Sequence, residues 1–234
     1  MTQKLPLFPL HTVLFPGAPI QLHIFEERYR TMIGRCLEQG SPFGVVLLRS
    51  GSEVSPDDPW VRQQVEQAGG GDPELSALRQ QLGGAPVSHV VGTTAQINAG
   101  ETVRLPDGRY YLVGLGQRRF RVQYLVQRQP YMIGSVAYLP EEGSPGTIGE
   151  AQQLRELYRR YWAALGAATG EAPPTETLPE GAIDLTYWLA HRLQIDNARK
   201  QHWLEADVDT RLREMAAALR RELALLPGGS GSLN

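Results

Sequence analysis

The chain has 234 residues, of which 41% are hydrophobic and 21% charged, and a formal net charge of −2 at pH 7. This composition supports a packed core, excludes wholesale disorder, and lacks the basic excess of proteins whose main task is to grip nucleic acid. A single cysteine, Cys36, excludes an internal disulfide, and no run approaches the ~20 apolar residues of a membrane helix. We therefore expect a cytoplasmic protein.

The first half of the chain alternates short apolar runs with turn residues, a pattern typical of strands. One segment, 26–39, has apolar residues at helical spacing and is followed by Gly40, which predicts a helix that stops there. Prolines flank the first apolar runs and suit an edge strand, where a missing backbone N–H costs nothing. Pro-Asp-Gly-Arg at 106–109 predicts a hairpin turn. The predicted strands are 4–8, 20–25, 43–48, 87–99, 110–113, 118–126 and 131–139.

Residues 50–86 differ from their surroundings because glycine and proline recur throughout them. We interpret this stretch as a surface insertion in the β-rich half. The remaining strands show no β-α-β rhythm. Together with the single early helix, they favour a partly closed β-barrel over a parallel sheet.

Beyond the Pro- and Gly-rich link at 140–146, the hydrophobic period becomes helical. Helices are predicted over 147–167 and 181–193. Asp196 is placed to cap a short helix that runs to residue 205, and Asp207 to cap the last helix. The predicted organisation is a β-rich domain over 1–140 with the insertion at 50–86, a helical domain over 147–227, and a flexible tail at 228–234.

Several segments carry a specific pattern of residues. They read Leu-Pro-Leu-Phe-Pro-Leu at 5–10, Val-Leu-Phe-Pro-Gly at 13–17 and Leu-His-Ile-Phe-Glu-Glu-Arg-Tyr-Arg at 22–30. Asp-Gly-Arg-Tyr-Tyr-Leu-Val-Gly-Leu-Gly-Gln-Arg-Arg-Phe follows at 107–120, and Lys-Gln-His-Trp-Leu-Glu at 200–205. In this order the segments resemble the amino-terminal, substrate-binding domain of Lon proteases. The resemblance covers nearly the whole chain outside 50–86.

The resemblance implies an α+β fold, a PUA-like pseudo-barrel of mostly antiparallel strands with one early helix, followed by a C-terminal α-helical bundle. Lon proteases continue into an ATPase and a Ser–Lys protease. These 234 residues contain no G-x-x-x-x-G-K-[ST] phosphate loop and no protease segment. We therefore expect a stand-alone, ATP-independent form that is not an enzyme, with no catalytic residues, no metal and no cofactor.

The resemblance also implies a polypeptide-binding module. We expect it to bind unfolded or extended protein segments or to act as an adaptor, with a protease or chaperone in trans as a further partner and no membrane association. Apolar patches near the domain junctions suit such ligands. The candidate peptide-binding residues are Phe15, Phe25, Tyr29, Tyr187 and Trp188.

Two other functions stay open at this point. The basic strands over 104–128 offer a nucleic-acid site, with Arg119 and Arg121 on the polar face of an alternating strand. Such arginines usually form a solvated face, and acidic residues elsewhere offset their charge, so RNA or DNA binding is the weaker hypothesis. The second alternative is an oligomeric scaffold or interaction protein built on the helical segments; the sequence leaves the oligomeric state open.

Overall fold

A computed structural model describes residues 3–50, 87–170 and 177–226, so the predicted tail and nearly all of the predicted insertion lie outside it. The described residues form a mixed α+β fold with a mostly antiparallel sheet and five α-helices, which confirms the predicted class. The strands are β1 Gln3–Leu10, β2 Pro19–Ile24, β3 Phe43–Ser50, β4 Val87–Ile97, β5 Val103–Arg104, β6 Tyr110–Gln127 and β7 Met132–Tyr138. The helices are α1 Glu27–Gln39, α2 Thr147–Thr169, α3 Ala182–Arg192, α4 Asn197–Glu205 and α5 Val208–Leu225.

The chain divides into two compact units. The first unit takes the chain as far as Pro140 together with Ile195–Leu204, so it holds the strands, α1 and nearly all of α4. The second unit takes Glu141–Gln194 and the residues from Glu205 onward, with α2, α3 and α5.

The strands of the first unit pair in the order β2–β6–β4–β3–β1–β7. β7 also pairs with β6, so the path of backbone pairing closes into a ring and leaves β2 outside it. This closure depends on the 18-residue length of β6, whose middle residues pair with β4 and whose last residues pair with β7. Only the β1–β3 pair is parallel among the described strands.

The prolines of β1 were expected on an edge strand, and this expectation is wrong. Residues 3–7 of β1 pair with β7, and residues 7–10 pair with β3 on the opposite side. Among the described strands, each half therefore has one side without a partner, which accommodates the N–H that Pro6 or Pro9 lacks. In the described chain β2 is an edge strand, because it pairs only with β6, and so is the two-residue β5.

The core of the ring requires close backbone approach at glycine. A Cβ at Gly92 on β4 would collide with the carbonyl oxygen of Val45 on β3, and one at Gly44 would come within 2.6 Å of the Phe120 ring. A side chain at either position would push strands apart. Buried residues packed together here are Leu5, Leu7, Val46, Phe120 and Val136.

Four local signals in the sequence are confirmed by the backbone. Gly40 ends α1 in the left-handed conformation, with φ of 60°, and Gly108 takes φ of 83° in the β5–β6 hairpin turn. Asp196 accepts a hydrogen bond from the backbone N–H of Arg199 at 2.8 Å, at the start of α4. Asp207 caps α5 by accepting from the N–H of Thr210 at 2.7 Å.

Candidate functional site

Two grooves flank β2 in the first unit. The first, of about 320 Å³, is lined by 21–23 of β2, Glu101 and 111–113 of β6. The second, of about 210 Å³, shares 21–23 with the first and is otherwise lined by residues of β1, the end of β2 and the start of α1. Its other lining residues are Phe8, Leu10, Ile24, Phe25, Glu26 and Tyr29. We call the residues of both grooves the β2 surface.

An exposed aromatic and apolar row crosses three strands of this surface. His23 on β2 lies opposite Tyr111 on β6, and the two rings stack with centroids 4.4 Å apart and planes 10° apart. Tyr111 in turn lies opposite Val103 on β5, and these two residues are 49% and 56% exposed. Phe25 extends the row, with its ring centroid 5.7 Å from that of His23. Contiguous apolar surface of this kind marks binding sites.

The walls of the second groove are held by α1. Tyr29 is buried and packs on Phe8, with ring centroids 4.2 Å apart. The Arg28 guanidinium lies 4.5 Å from the centroid of the Tyr29 ring, and its Nε donates to Glu26 Oε2 at 2.9 Å. The carboxylate that lines this groove is therefore ion-paired, and the walls around it are mostly apolar.

The β5–β6 turn places charged groups that act on His23. Arg109 donates to the Asp107 carboxylate through its backbone N–H at 3.1 Å and its Nε at 2.7 Å, and these bonds lower the pKa of Asp107. Burial, and after it the positive charge of Arg109, lower the pKa of His23, while Asp107 opposes them. The lowered pKa favours the uncharged form of the imidazole that this surface presents. Arg30 of α1 connects the turn to the helix by donating a hydrogen bond to the Asp107 carbonyl at 2.9 Å.

The three candidate peptide-binding residues of the first unit differ in where their side chains lie. Phe25 is half-buried and Tyr29 is buried, and both line the second groove. Phe15 is 0% exposed, so its ring belongs to the core. The structure thus brings together two of the three aromatic residues predicted there.

Tyr187 and Trp188 belong to the second unit. Tyr187 is buried: its hydroxyl donates to Glu141 Oε1 at 2.5 Å, and the Arg211 guanidinium lies 4.2 Å from its ring centroid. Trp188 is half-buried beneath the Arg192 guanidinium, 3.9 Å from its ring centroid. Of these two residues, Trp188 is the one with an accessible face.

The expected solvated face of arginines on β6 is wrong at Arg119. This side chain is 5% exposed, and its guanidinium donates to the carbonyl of Leu204 at 2.6 Å and to that of Pro140 at 3.3 Å. The reason is tertiary: the carbonyls at the C-terminal end of α4 have no partners within that helix, and a buried guanidinium satisfies one of them. Arg121, two residues further on, is exposed.

His23 and Tyr111 were missed among the candidate residues. A signal for both was present, because the two side chains alternate with buried Ile24 and Tyr110 on strands that have one covered face. In 3–50, 87–170 and 177–226, no group of three or more His, Cys, Asp or Glu side chains could hold a metal ion. Among the helices just described, none is long and apolar enough to cross a membrane.

Comparison with known families identifies the class of domain. Residues 4–221 match the family described as "ATP-dependent protease La (LON) substrate-binding domain", and the chain belongs to this family. Lon protease 2 of Myxococcus xanthus is 26% identical over 232 residues, which cover 96% of this chain and 24% of that protein. Lon protease of Flavobacterium johnsoniae is 27% identical over 140 residues, 59% of this chain and 14% of that protein. The chain thus spans a quarter or less of the length of these relatives.

Solved structures show the same fold. A Lon N-terminal domain protein from Xanthomonas campestris superposes with a TM-score of 0.57 at 25% identity, covering 96% of this chain and 99% of that one. The N-terminal domain of the Mycobacterium avium complex Lon protease gives a TM-score of 0.58 at 15% identity, covering 93% and 98%. The second likeness concerns the fold alone.

Proposed function

We propose that this chain is a non-catalytic substrate-recognition module that binds unfolded or extended polypeptide segments at the β2 surface. Its membership in a family of substrate-binding domains supports the class of ligand. The observation that carries the proposal is the exposed row formed by His23, Tyr111 and Val103, with an apolar groove on either side of β2. We also propose the finer fold, a PUA-like pseudo-barrel followed by a helical bundle, which the closed ring of strand pairing supports.

The chemistry of the surface suits segments that a folded protein would hide. Unfolded chains expose apolar and aromatic side chains, and these lose water when they enter apolar grooves. The lowered pKa of His23 favours its uncharged imidazole, and the groove carboxylate of Glu26 is paired with Arg28. Uncharged apolar side chains therefore meet no unpaired charge at the row or in the second groove.

The direct test is a titration of the pure protein with labelled unfolded chains. Reduced and carboxymethylated lactalbumin and degradation-tag peptides are the probes, and native lactalbumin is the folded control. Replacing Tyr111→Ser removes the centre of the row and should weaken binding about tenfold, the scale of an aromatic residue at the centre of an interface. Tyr124→Ser is the matched control, because Tyr124 is 62% exposed on the same strand but lies outside both grooves. The proposal would be refuted if neither unfolded lactalbumin nor the tag peptides bound at concentrations up to the high micromolar range.

The two other functions are separated by their own measurements. Burial of Arg119 removes one of the two arginines predicted for a nucleic-acid site. If RNA were the ligand, crosslinking would recover it, and Arg121→Gln would weaken its binding. An adaptor role predicts co-purification of a protease or chaperone from the native cell, and a scaffold role predicts a concentration-dependent mass in light scattering.

A further inference from the structure

We infer that the open edge of β2 binds polypeptide by strand addition, so that an extended segment forms backbone hydrogen bonds with Gln21 and His23. This inference rests on the proposed function and narrows its ligand to segments able to adopt β conformation. A helix or a compact loop presents no matching row of backbone N–H and C=O groups.

The direction of the backbone groups on β6 follows from two hydrogen bonds. Asn98 N–H donates to the carbonyl of Val113 at 2.9 Å, so the backbone groups of Val113 face β4. Along an antiparallel strand these directions alternate, and the residues on either side of Val113 therefore face β2. The Gly116 N–H donates to the Ala18 carbonyl, also at 2.9 Å. Gly116 therefore directs its N–H toward the β2 side, as the alternation predicts for 112 and 114.

The register then assigns the backbone groups of β2. Residues 110, 112 and 114 of β6 pair with Ile24, Leu22 and Ile20, so these three residues direct their backbone groups toward β6. The N–H and C=O groups of Gln21 and His23 point away from β6. No strand in the described parts of the chain pairs with that side.

From Ile20 to Ile24 this edge carries no protective charge and no bulge. Natural edge strands are protected by lysine, proline, inward-pointing charges or bulges, and β2 has one of these, Pro19 at its first position. β2 reads Pro-Ile-Gln-Leu-His-Ile, with no Asp, Glu, Lys or Arg between Pro19 and Ile24, and its register with β6 contains no shift. The edge is therefore regular and uncharged over the residues whose backbone groups point outward.

The side chains around the edge define what an added strand carries. A residue placed beside His23 extends the row through Tyr111 and Val103, and aromatic or β-branched side chains make the best cross-strand neighbours there. Gln21 and His23 of the open edge also line the second groove, whose apolar lining residues include Phe8 and Phe25. Alternate residues of the added strand therefore meet the row and the groove.

The test uses a short end-capped peptide in which threonine alternates with valine around a central phenylalanine. Two further versions carry N-methyl groups on alternate residues, in one phase or in the other. Strand addition predicts that one phase weakens binding by about tenfold for each hydrogen bond lost, while the other phase binds like the parent peptide. Because the two versions have the same composition, their comparison isolates the pairing edge.

Two measurements on the protein complete the test. Gln21→Pro and Gln21→Ala both remove the glutamine side chain, but only the proline variant also removes the outward N–H, so Gln21→Pro should bind about tenfold more weakly than Gln21→Ala. Amide exchange checks the wild type itself: the N–H groups of Gln21 and His23 should exchange fast in the free protein and slow markedly with the peptide bound. Leu22 should be protected in both states.

The outcomes separate this inference from the proposed function. Phase-dependent loss together with new protection at Gln21 and His23 supports strand addition. Strand addition is overturned if the two methylated peptides bind equally well, or equally weakly, and the amides of Gln21 and His23 stay unprotected. In that case binding of unfolded lactalbumin still supports polypeptide recognition. Failure of every unfolded chain to bind overturns both.

Discussion

Replacing Arg119→Met tests whether the buried guanidinium is a structural clamp. The change keeps most of the side-chain volume but removes donors to the carbonyls of Leu204 and Pro140, at 2.6 and 3.3 Å. Each lost charge-assisted hydrogen bond is worth about 1.5–3 kcal/mol, and the relief of burying a charge offsets part of that loss. We expect a net cost of about 2–4 kcal/mol in the free energy of unfolding.

The assay is urea unfolding followed by tryptophan fluorescence and by amide exchange in α4. Trp203 is 0% exposed and adjoins the acceptor residue Leu204, so its environment reports on this contact. Arg121→Met is the matched control on the same strand, and its exposed side chain should change stability by no more than about 0.5 kcal/mol. If Arg119→Met and Arg121→Met unfolded at the same urea concentration as the wild type, the clamp reasoning would be refuted.

Three further predictions concern the fold. Gly92→Ala should lower the free energy of unfolding by about 1–3 kcal/mol, because its Cβ meets the backbone of β3. Gly149→Ala is the control: it has open space around it and should leave the free energy of unfolding unchanged or raise it by up to ~1 kcal/mol. Thermal unfolding compares the two variants. Asp207→Ala should cost about 1 kcal/mol at pH 7. The hydrogen bond from the Thr210 N–H lowers the pKa of Asp207. The stabilisation by the cap is therefore fully present above the pKa of Asp207 in the unfolded chain and is lost as the pH falls through its pKa in the folded protein. If Asp207→Ala cost the same free energy of unfolding at every pH, the cap would be contradicted. Arg211→Met removes a fully buried cation and should cost about 3–5 kcal/mol, whereas exposed Arg213→Met should be nearly neutral in urea unfolding.

The ends of the elements could be read from the sequence because their causes are local. Gly40 stops α1 through its own backbone conformation, and Asp207 starts α5 through a hydrogen bond three residues away. The role of Pro6 and Pro9 could not be read in the same way. Whether a proline is tolerated depends on which side of the strand has a partner, and that partner comes from distant residues.

The candidate site was predictable only in part. Aromatic composition and family resemblance pointed to Phe25 and Tyr29, which line a groove. The same reasoning selected Phe15, which is fully buried, because sequence alone does not distinguish a core aromatic residue from a surface one. His23 and Tyr111 become neighbours only when β2 pairs with β6.

By itself the sequence determined the α+β class, the helix caps, the hairpin turn and the family, because these depend on local geometry or on ordered motifs. The tertiary structure alone decided that β2 has an open edge, that Arg119 is buried under α4, and that the His23 imidazole stacks on Tyr111. Each of these features joins residues that are far apart in the chain. Strand order and burial arise from such long-range contacts, and no local pattern encodes which partner a strand will have.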